Sequence, residues 1–365
     1  MIDESQMKID TTPSFDVHQT ETSRLDQVDF SNLDFGRVFS DHMFVMDYED
    51  NLWQRGSVEP YGPFAMSPAS MVFHYGQAIF EGMKAYRSSD GTVSLFRPGK
   101  NIERFNISAR RMCMPEVPED IFMESLAALV KLDEAWVPDG EEASLYIRPF
   151  MIATDSFVGV RASDKYTFSI FTCPVDAYYK GSVKVKVERH FTRATPGGTG
   201  YAKAAGNYAG SLYPSQLARK EGYDQLIWTD AQTHEYIEES GTMNAMFVID
   251  GKLVSPQTSD TILNGVTRDS VITLANDLGI EVEIRKIAVN ELESGLKSGS
   301  VTEAFGVGTA ATIKSIELIG IDGVNYTLSK AEEDKENTVA FKLSNELDGI
   351  RRGRIEDRHG WNIPV

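Results

Sequence analysis

With 365 residues, 41% of them hydrophobic and 25% charged, the chain has an ordinary globular composition, long enough for two domains or one large α/β enzyme. Its net charge of −18 argues against the basic face of a nucleic-acid binder, and any anionic ligand must be drawn in by local arginines and backbone amides. No apolar run approaches membrane-spanning length, and Met1–Ser5 lacks the order of a signal peptide. Two cysteines without metal-ligand or CxxC spacing, Cys113 and Cys173, read as buried thiols of a reducing, cytoplasmic compartment.

In chain order, residues 1–28 are polar and largely without period, and are expected to form a mobile tail. A small α/β domain is expected over 29–177, an interdomain linker over 178–186 and a larger domain over 187–365. Met43–Met46 reads as a strand turning at Glu49-Asp50-Asn51 towards Trp53, and Val93–Phe96 as another. Helices are predicted from about Lys100 to Met112 and from about Glu119 to Trp136, the second with Phe122, Leu126, Leu129, Val130 and Leu132 on one side. Leu145–Arg148, ended by Pro149, and Tyr166–Phe171 look like strands. Strict alternation over Val183–Val187 follows the linker candidate Tyr178–Ser182. Asp250-Gly251 and Asp322-Gly323 sit between apolar runs as hairpin turns. Further helices are predicted over 208–221, 267–278 and 331–351. The pattern is α+β or mixed α/β in two halves, and a cleft between such halves is the natural place for a ligand.

The most informative stretch is Gly197-Gly198-Thr199-Gly200-Tyr201-Ala202-Lys203-Ala204-Ala205-Gly206-Asn207-Tyr208. Small residues leave room beside a single amine, as a lysine holding a flat cofactor as a Schiff base requires. A glycine-rich loop with one solvated lysine reads equally well. Pyridoxal phosphate would also need an acid for its ring nitrogen, a donor for its phenolic oxygen and a phosphate cradle. Glu239, running into Ser240-Gly241-Thr242, offers the acid; as a solvated hairpin charge it would offer nothing. Phosphate donors are available in Leu263–Asp269, a glycine turn opening a helix, in the Gly-rich turn Phe305–Ala311, and in Arg104, which could instead pair with Glu103 or a neighbour. Tyr146 and Arg148 share one strand face and suit a substrate carboxylate, or merely decorate an edge strand. His74, without an acidic partner in register, is assigned no role.

Together these pieces resemble one family. From about Phe39 to the C-terminal helix the chain is similar to the branched-chain amino-acid aminotransferases, class IV enzymes with the two-domain fold type IV architecture. The motifs that carry the likeness are His74–Lys84, Phe96–Met114, Ser144–Pro149, Gly197–Leu212 and Glu239–Asn244, followed by the Gly265-Val266-Thr267 and Gly308-Thr309-Ala310 turns. The resemblance implies pyridoxal 5′-phosphate in the cleft between domains, held covalently by Lys203, with Tyr208 on its phenolic oxygen and Glu239 on its ring nitrogen. Arg104, the amides of Val266 and Thr267, and Thr309 would hold the phosphate. Thr242 and the Thr309-Ala310 turn would lie near the substrate carboxylate. Tyr75, Phe80, Tyr146 and Tyr178 would line the side-chain pocket, and Arg148 would meet the distal carboxylate of glutamate. The implied reaction moves the amino group of L-leucine, L-isoleucine or L-valine reversibly to 2-oxoglutarate. The implied assembly is a homodimer or larger, without metal, nucleic acid or membrane. Ala311-Thr312-Ile313-Lys314 stands where vertebrate members carry CxxC, so thiol regulation is not expected. A D-amino-acid aminotransferase or aminodeoxychorismate lyase of the same fold is the alternative within the family. A cofactor-free phosphate-ligand binder and a Schiff-base aldolase are the alternatives outside it.

Overall fold

Hydrophobic alternation is realised as two sheets in the computed structural model, which describes residues 15–176, 181–328 and 335–365. The described residues fall into two compact units. The first comprises 15–176, 202–206 and 349–365; the second comprises 181–201, 207–328 and 335–348. The short segment carrying Lys203 therefore folds with the first unit, although its neighbours on both sides belong to the second.

The first unit contains β1 (Asp16–Val17), β2 (His42–Glu49), β3 (Leu52–Trp53), β4 (Ser57–Pro60), β5 (Ala78–Phe80), β6 (Met83–Arg87), β7 (Val93–Phe96), β8 (Ser144–Ala153) and β9 (Tyr166–Val175). Its sheet runs β1-β4-β2-β9-β8-β6-β7 and ends on the C-terminal strand Asn362–Pro364, with β3 on β2 and β5 on β8. Helix α1 (Met71–Tyr75) is a single turn. Helices α2 (Pro98–Arg111) and α3 (Glu119–Leu132) pack their apolar faces on the sheet. Phe105 and Phe122 meet Phe168 of β9 at ring separations of 5.5 and 5.9 Å, and Phe44 of β2 meets it at 6.0 Å. Pro98 opens α2 at a position where its missing N–H is harmless, and Arg110 and Arg111 complement the helix dipole at the other end.

Three expectations are corrected in this unit. Residues 15–28 are not a loose tail. Phe15 is buried edge-on against Phe44, β1 pairs with β4, and Asp41 accepts from Ser23 Oγ and from the Arg24 amide. Pro149 does not end its strand. It lies where β8 exchanges β6 for β5 as partner, so its absent N–H falls in a gap of the ladder, and its carbonyl accepts from the Glu81 amide at 2.7 Å. Cys173 is buried, as expected, but Cys113 is exposed, lying just past the end of α2 with a left-handed φ of 54°.

The second unit contains β10 (Val183–Val187), β11 (Gln225–Thr229), β12 (Ile237–Ser240), β13 (Met243–Ile249), β14 (Lys252–Pro256), β15 (Val282–Arg285), β16 (Val301–Gly308), β17 (Thr312–Ile321) and β18 (Val324–Thr327). Because β12 pairs with both β11 and β13, the six strands β12-β11-β10-β17-β16-β13 close on themselves. Val183, Val185 and Val187 of β10 point into the core with Ile227, Phe247 and Ile319, as their alternation predicts. All of that strand but Val187 lies within 178–186, the range expected to be linker, of which 178–180 are outside the described residues. Both Asp-Gly hairpins form, with positive φ at Asp250, Gly251, Asp322 and Gly323.

The helix expected over 208–221 is two pieces, α4 (Ala205–Ala209) and α5 (Leu212–Lys220). Pro214 explains the break: inside a continuous helix it would clash with the preceding turn, whereas in the first turn of α5 it is tolerated. Two helices match expectation in place: α6 (Val266–Asp277), and the C-terminal helix Val339–Arg351, which starts later than predicted. Val289–Ser298, a helix burying Val289 and Leu292, has no counterpart among the predicted elements. Phe305–Gly308 is strand rather than turn. Gly306 is small because a Cβ there would strike the Met243 side chain on the neighbouring strand.

Candidate functional site

In the first unit, Lys203 is fixed through its backbone. Its amide donates to Ser108 Oγ at 2.9 Å, its carbonyl accepts from the Phe80 amide at 3.1 Å, and Ala204 bridges Ile79. The side chain is partly exposed, with Nζ 4.8 Å from the centre of the Phe80 ring. The Arg148 guanidinium lies 4.6 Å from the centre of the same ring and donates to the Tyr146 hydroxyl at 2.9 Å. Lys203, Phe80, Tyr146 and Arg148 are thus brought together. Gly82 makes room for them, since a Cβ there would run into the Tyr146 hydroxyl.

Arg104 belongs to this cluster by an unexpected partner. Its Nε and Nη2 donate to the two oxygens of Glu81 at 2.7 and 2.8 Å, and Asn101 Nδ2 donates to Glu81 Oε2 at 2.7 Å. Burial opposes the charge on Glu81, but the guanidinium of Arg104, the nearby Lys203 and the Asn101 amide outweigh it and hold the carboxyl below its usual range. Glu81, Asn101 and Ser108 escaped the sequence reading. The one signal for the last two was positional: Asn101, Arg104 and Ser108 make a polar stripe on α2 beside apolar Ile102, Phe105 and Ala109. Tyr75 is exposed at the end of α1, with its ring 6.2 Å from that of His74. His74 Nε2 donates locally, to the Pro68 carbonyl at 2.9 Å. Tyr178 lies outside the described residues.

The second unit holds the residues expected to supply the acid and the anion donors. Glu239 is buried on β12, and its Oε1 accepts from the Leu263 amide at 2.5 Å. Arg193 Nε lies 3.4 Å from Glu239 Oε2, an ion pair without a formed hydrogen bond. Beside it, Glu238 accepts from the Thr261 hydroxyl at 2.5 Å; burial raises its pKa, against the Thr261 bond and Arg193. Arg193 and Glu238 were also missed, because their partners lie tens of residues away. Past Glu239, Gly241 takes φ +59° and hands the chain to exposed Thr242. Asn244 donates to the Leu263 carbonyl at 2.8 Å, and Gly265 passes so close to Asn244 Oδ1 that a Cβ would collide with it. Gly265 is the N-cap of α6 and no side chain caps that helix, so the amides of Val266 and buried Thr267 form an anion-accepting end. Thr309 and Ala310 are half-buried in the turn between β16 and β17. Tyr208 is half-buried on α4, and the loop before it is tied by Asn207, whose amide donates to the Thr199 carbonyl at 2.8 Å.

Residues 78–319 match the model of the family described as Amino-transferase class IV. The chain belongs to the class IV aminotransferases. It is 48% identical over 342 residues to a branched-chain-amino-acid aminotransferase of Bacillus subtilis, covering 92% of this chain and 93% of that protein. It is 44% identical over 340 residues to one of Mycolicibacterium smegmatis, covering 91% and 92%. Among solved structures, this class IV aminotransferase superposes on the branched-chain aminotransferase of Thermoproteus uzoniensis with norvaline at a TM-score of 0.71. The two are 27% identical, over 88% of this chain and 99% of that one. The mixed α/β fold expected of the family is the one observed. No helix among the described residues is long and apolar enough to cross a membrane.

Proposed function

We propose that this chain is a branched-chain amino-acid aminotransferase that uses pyridoxal 5′-phosphate to exchange the amino group of L-leucine, L-isoleucine or L-valine with 2-oxoglutarate. The observation that carries the reading is the aromatic wall of Phe80, bearing the Lys203 amine and the Arg148 guanidinium within 5 Å of one ring centre. A short aliphatic side chain can stop at that wall, while the longer glutamate chain reaches Arg148 with its distal carboxylate. The identity to named branched-chain aminotransferases over nine-tenths of the chain supports the same reading.

The donor set fits the cofactor: a partly exposed amine, a buried carboxylate, an uncapped helix N-terminus and a hydroxyl-bearing turn. Pyridoxal 5′-phosphate, when bound, supplies an electrophilic carbon and an electron-withdrawing ring. Lys203 Nζ would hold it covalently and, once displaced by the substrate amine, would take the proton from the substrate α-carbon. Glu239 would keep a proton on the ring nitrogen, and Tyr208 would donate to the phenolic oxygen. The Val266 and Thr267 amides with the Thr309 hydroxyl would bind the phosphate, with Arg104 adding charge while its Nε and Nη2 stay on Glu81. Thr242 and the Thr309-Ala310 turn would orient the α-carboxylate. Tyr75, Tyr146 and Tyr178 would complete the pocket with Phe80. We place the enzyme in the cytoplasm as a homodimer or larger homo-oligomer. A substrate panel tests the assignment. L-Leucine with 2-oxoglutarate should yield glutamate, and D-alanine should not; activity on D-alanine alone would overturn it.

A further inference from the structure

Lys203 sits in a five-residue segment that leaves the second unit, joins the first and returns. Its backbone amide ends on the Ser108 hydroxyl. That hydroxyl is fully buried on α2. It donates to the Arg104 carbonyl at 3.0 Å, the usual habit of a helical serine, and it also accepts the Lys203 amide from 95 residues away. Four residues earlier on the same helix face, Arg104 grips Glu81, and Asn101 grips it from one turn further back. Glu81 follows Phe80, whose amide holds the Lys203 carbonyl. The bonds close a loop: Lys203 to Ser108, along α2 to Arg104, across to Glu81, and through Phe80 back to Lys203.

We propose that Ser108 is a positioning residue for Lys203, fixing the lysine backbone in register with Arg104 and Glu81 through the buried Asn101–Arg104–Ser108 stripe. The proposal rests on the reading of Lys203 as the proton-carrying lysine. Proton transfer at carbon is sensitive to placement, and a displacement of about 1 Å can cost about a hundredfold in rate. Cofactor capture demands less, since the long lysine side chain can adjust to a shifted backbone.

Ser108→Ala removes the acceptor while favouring the helix. Ser125→Ala is the control, because Ser125 is another fully buried helical serine of the same unit, with its hydroxyl on the Phe122 carbonyl. In Ser108→Ala the cofactor's visible band should still form, kcat should fall about ten- to a hundredfold, and KM for leucine should stay within about twofold. The kinetic isotope effect on kcat with α-deuterated leucine should rise, and Ser125→Ala should move neither quantity. In cofactor-free protein, hydrogen exchange at the Lys203 amide should quicken at least about tenfold in Ser108→Ala, with β8 unchanged. A wild-type isotope effect in Ser108→Ala, the same loss in Ser125→Ala, or unchanged exchange at Lys203 would overturn the proposal. A wild-type protein that turns over no amino acid sinks the functional reading instead, while exchange still decides whether Ser108 holds the lysine.

Discussion

Glu81 carries a charge into a position with no solvent exposure, and the bidentate Arg104 with Asn101 makes that tolerable. Removing one member of such a pair strands the other, so Glu81→Ala should lose about 3–5 kcal/mol in thermal or urea unfolding. The pair also sets an acid limb. Because the folded carboxyl is held below its usual range, its contribution is full above the unfolded value of about 4.3 and fades as pH falls through the folded one. Acid unfolding should therefore begin at lower slope in Glu81→Gln than in wild type, and parallel curves would count against the ion pair. Glu239→Gln should retain the cofactor's visible band while kcat drops about a hundredfold or more, since a neutral amide no longer favours a proton on the ring nitrogen. The thiols differ sharply: burial pushes Cys173 up to about 11, whereas Cys113 is exposed. A thiol reagent near neutral pH should modify Cys113 in native protein and reach Cys173 only after denaturation.

Elements were legible wherever a local rule decided them. Asp250-Gly251 and Asp322-Gly323 demand positive φ, and Val183–Val187 alternates without exception. They were misread where the deciding partner is distant. Pro149 stays in β8 because two other strands leave a gap for it, and Gly306 belongs to β16 because of Met243 across the ladder. The same division holds within the site. Lys203, Glu239 and Arg148 stood out in their own neighbourhoods, whereas Glu81, Ser108 and Arg193 act through residues 23 to 95 positions away. Residues 15–28 illustrate the energetic side, for one buried ring turns a polar stretch into part of the sheet. Phe15→Ala should cost about 3 kcal/mol of stability and expose the segment before β2 to limited proteolysis; unchanged cleavage would show that Phe15 does not anchor it.

For the whole molecule, a net charge of −18 requires that an anionic cofactor or 2-oxo acid be drawn in by local devices, and the α6 N-terminus, Arg104 and Arg148 are the ones we propose. The first unit carries Lys203, Phe80 and Arg148 around one ring, and the second carries buried Glu239 and the α6 N-terminus. The identity of the amine that binds the cofactor is the deciding quantity. Borohydride reduction of the loaded protein, followed by proteolysis and mass mapping, reads that amine directly. The pyridoxyl mass should appear on the peptide containing Lys203, and Lys203→Ala should carry none there and show no visible band. A pyridoxyl group found on another lysine, or a visible band that survives Lys203→Ala unchanged, would contradict the account.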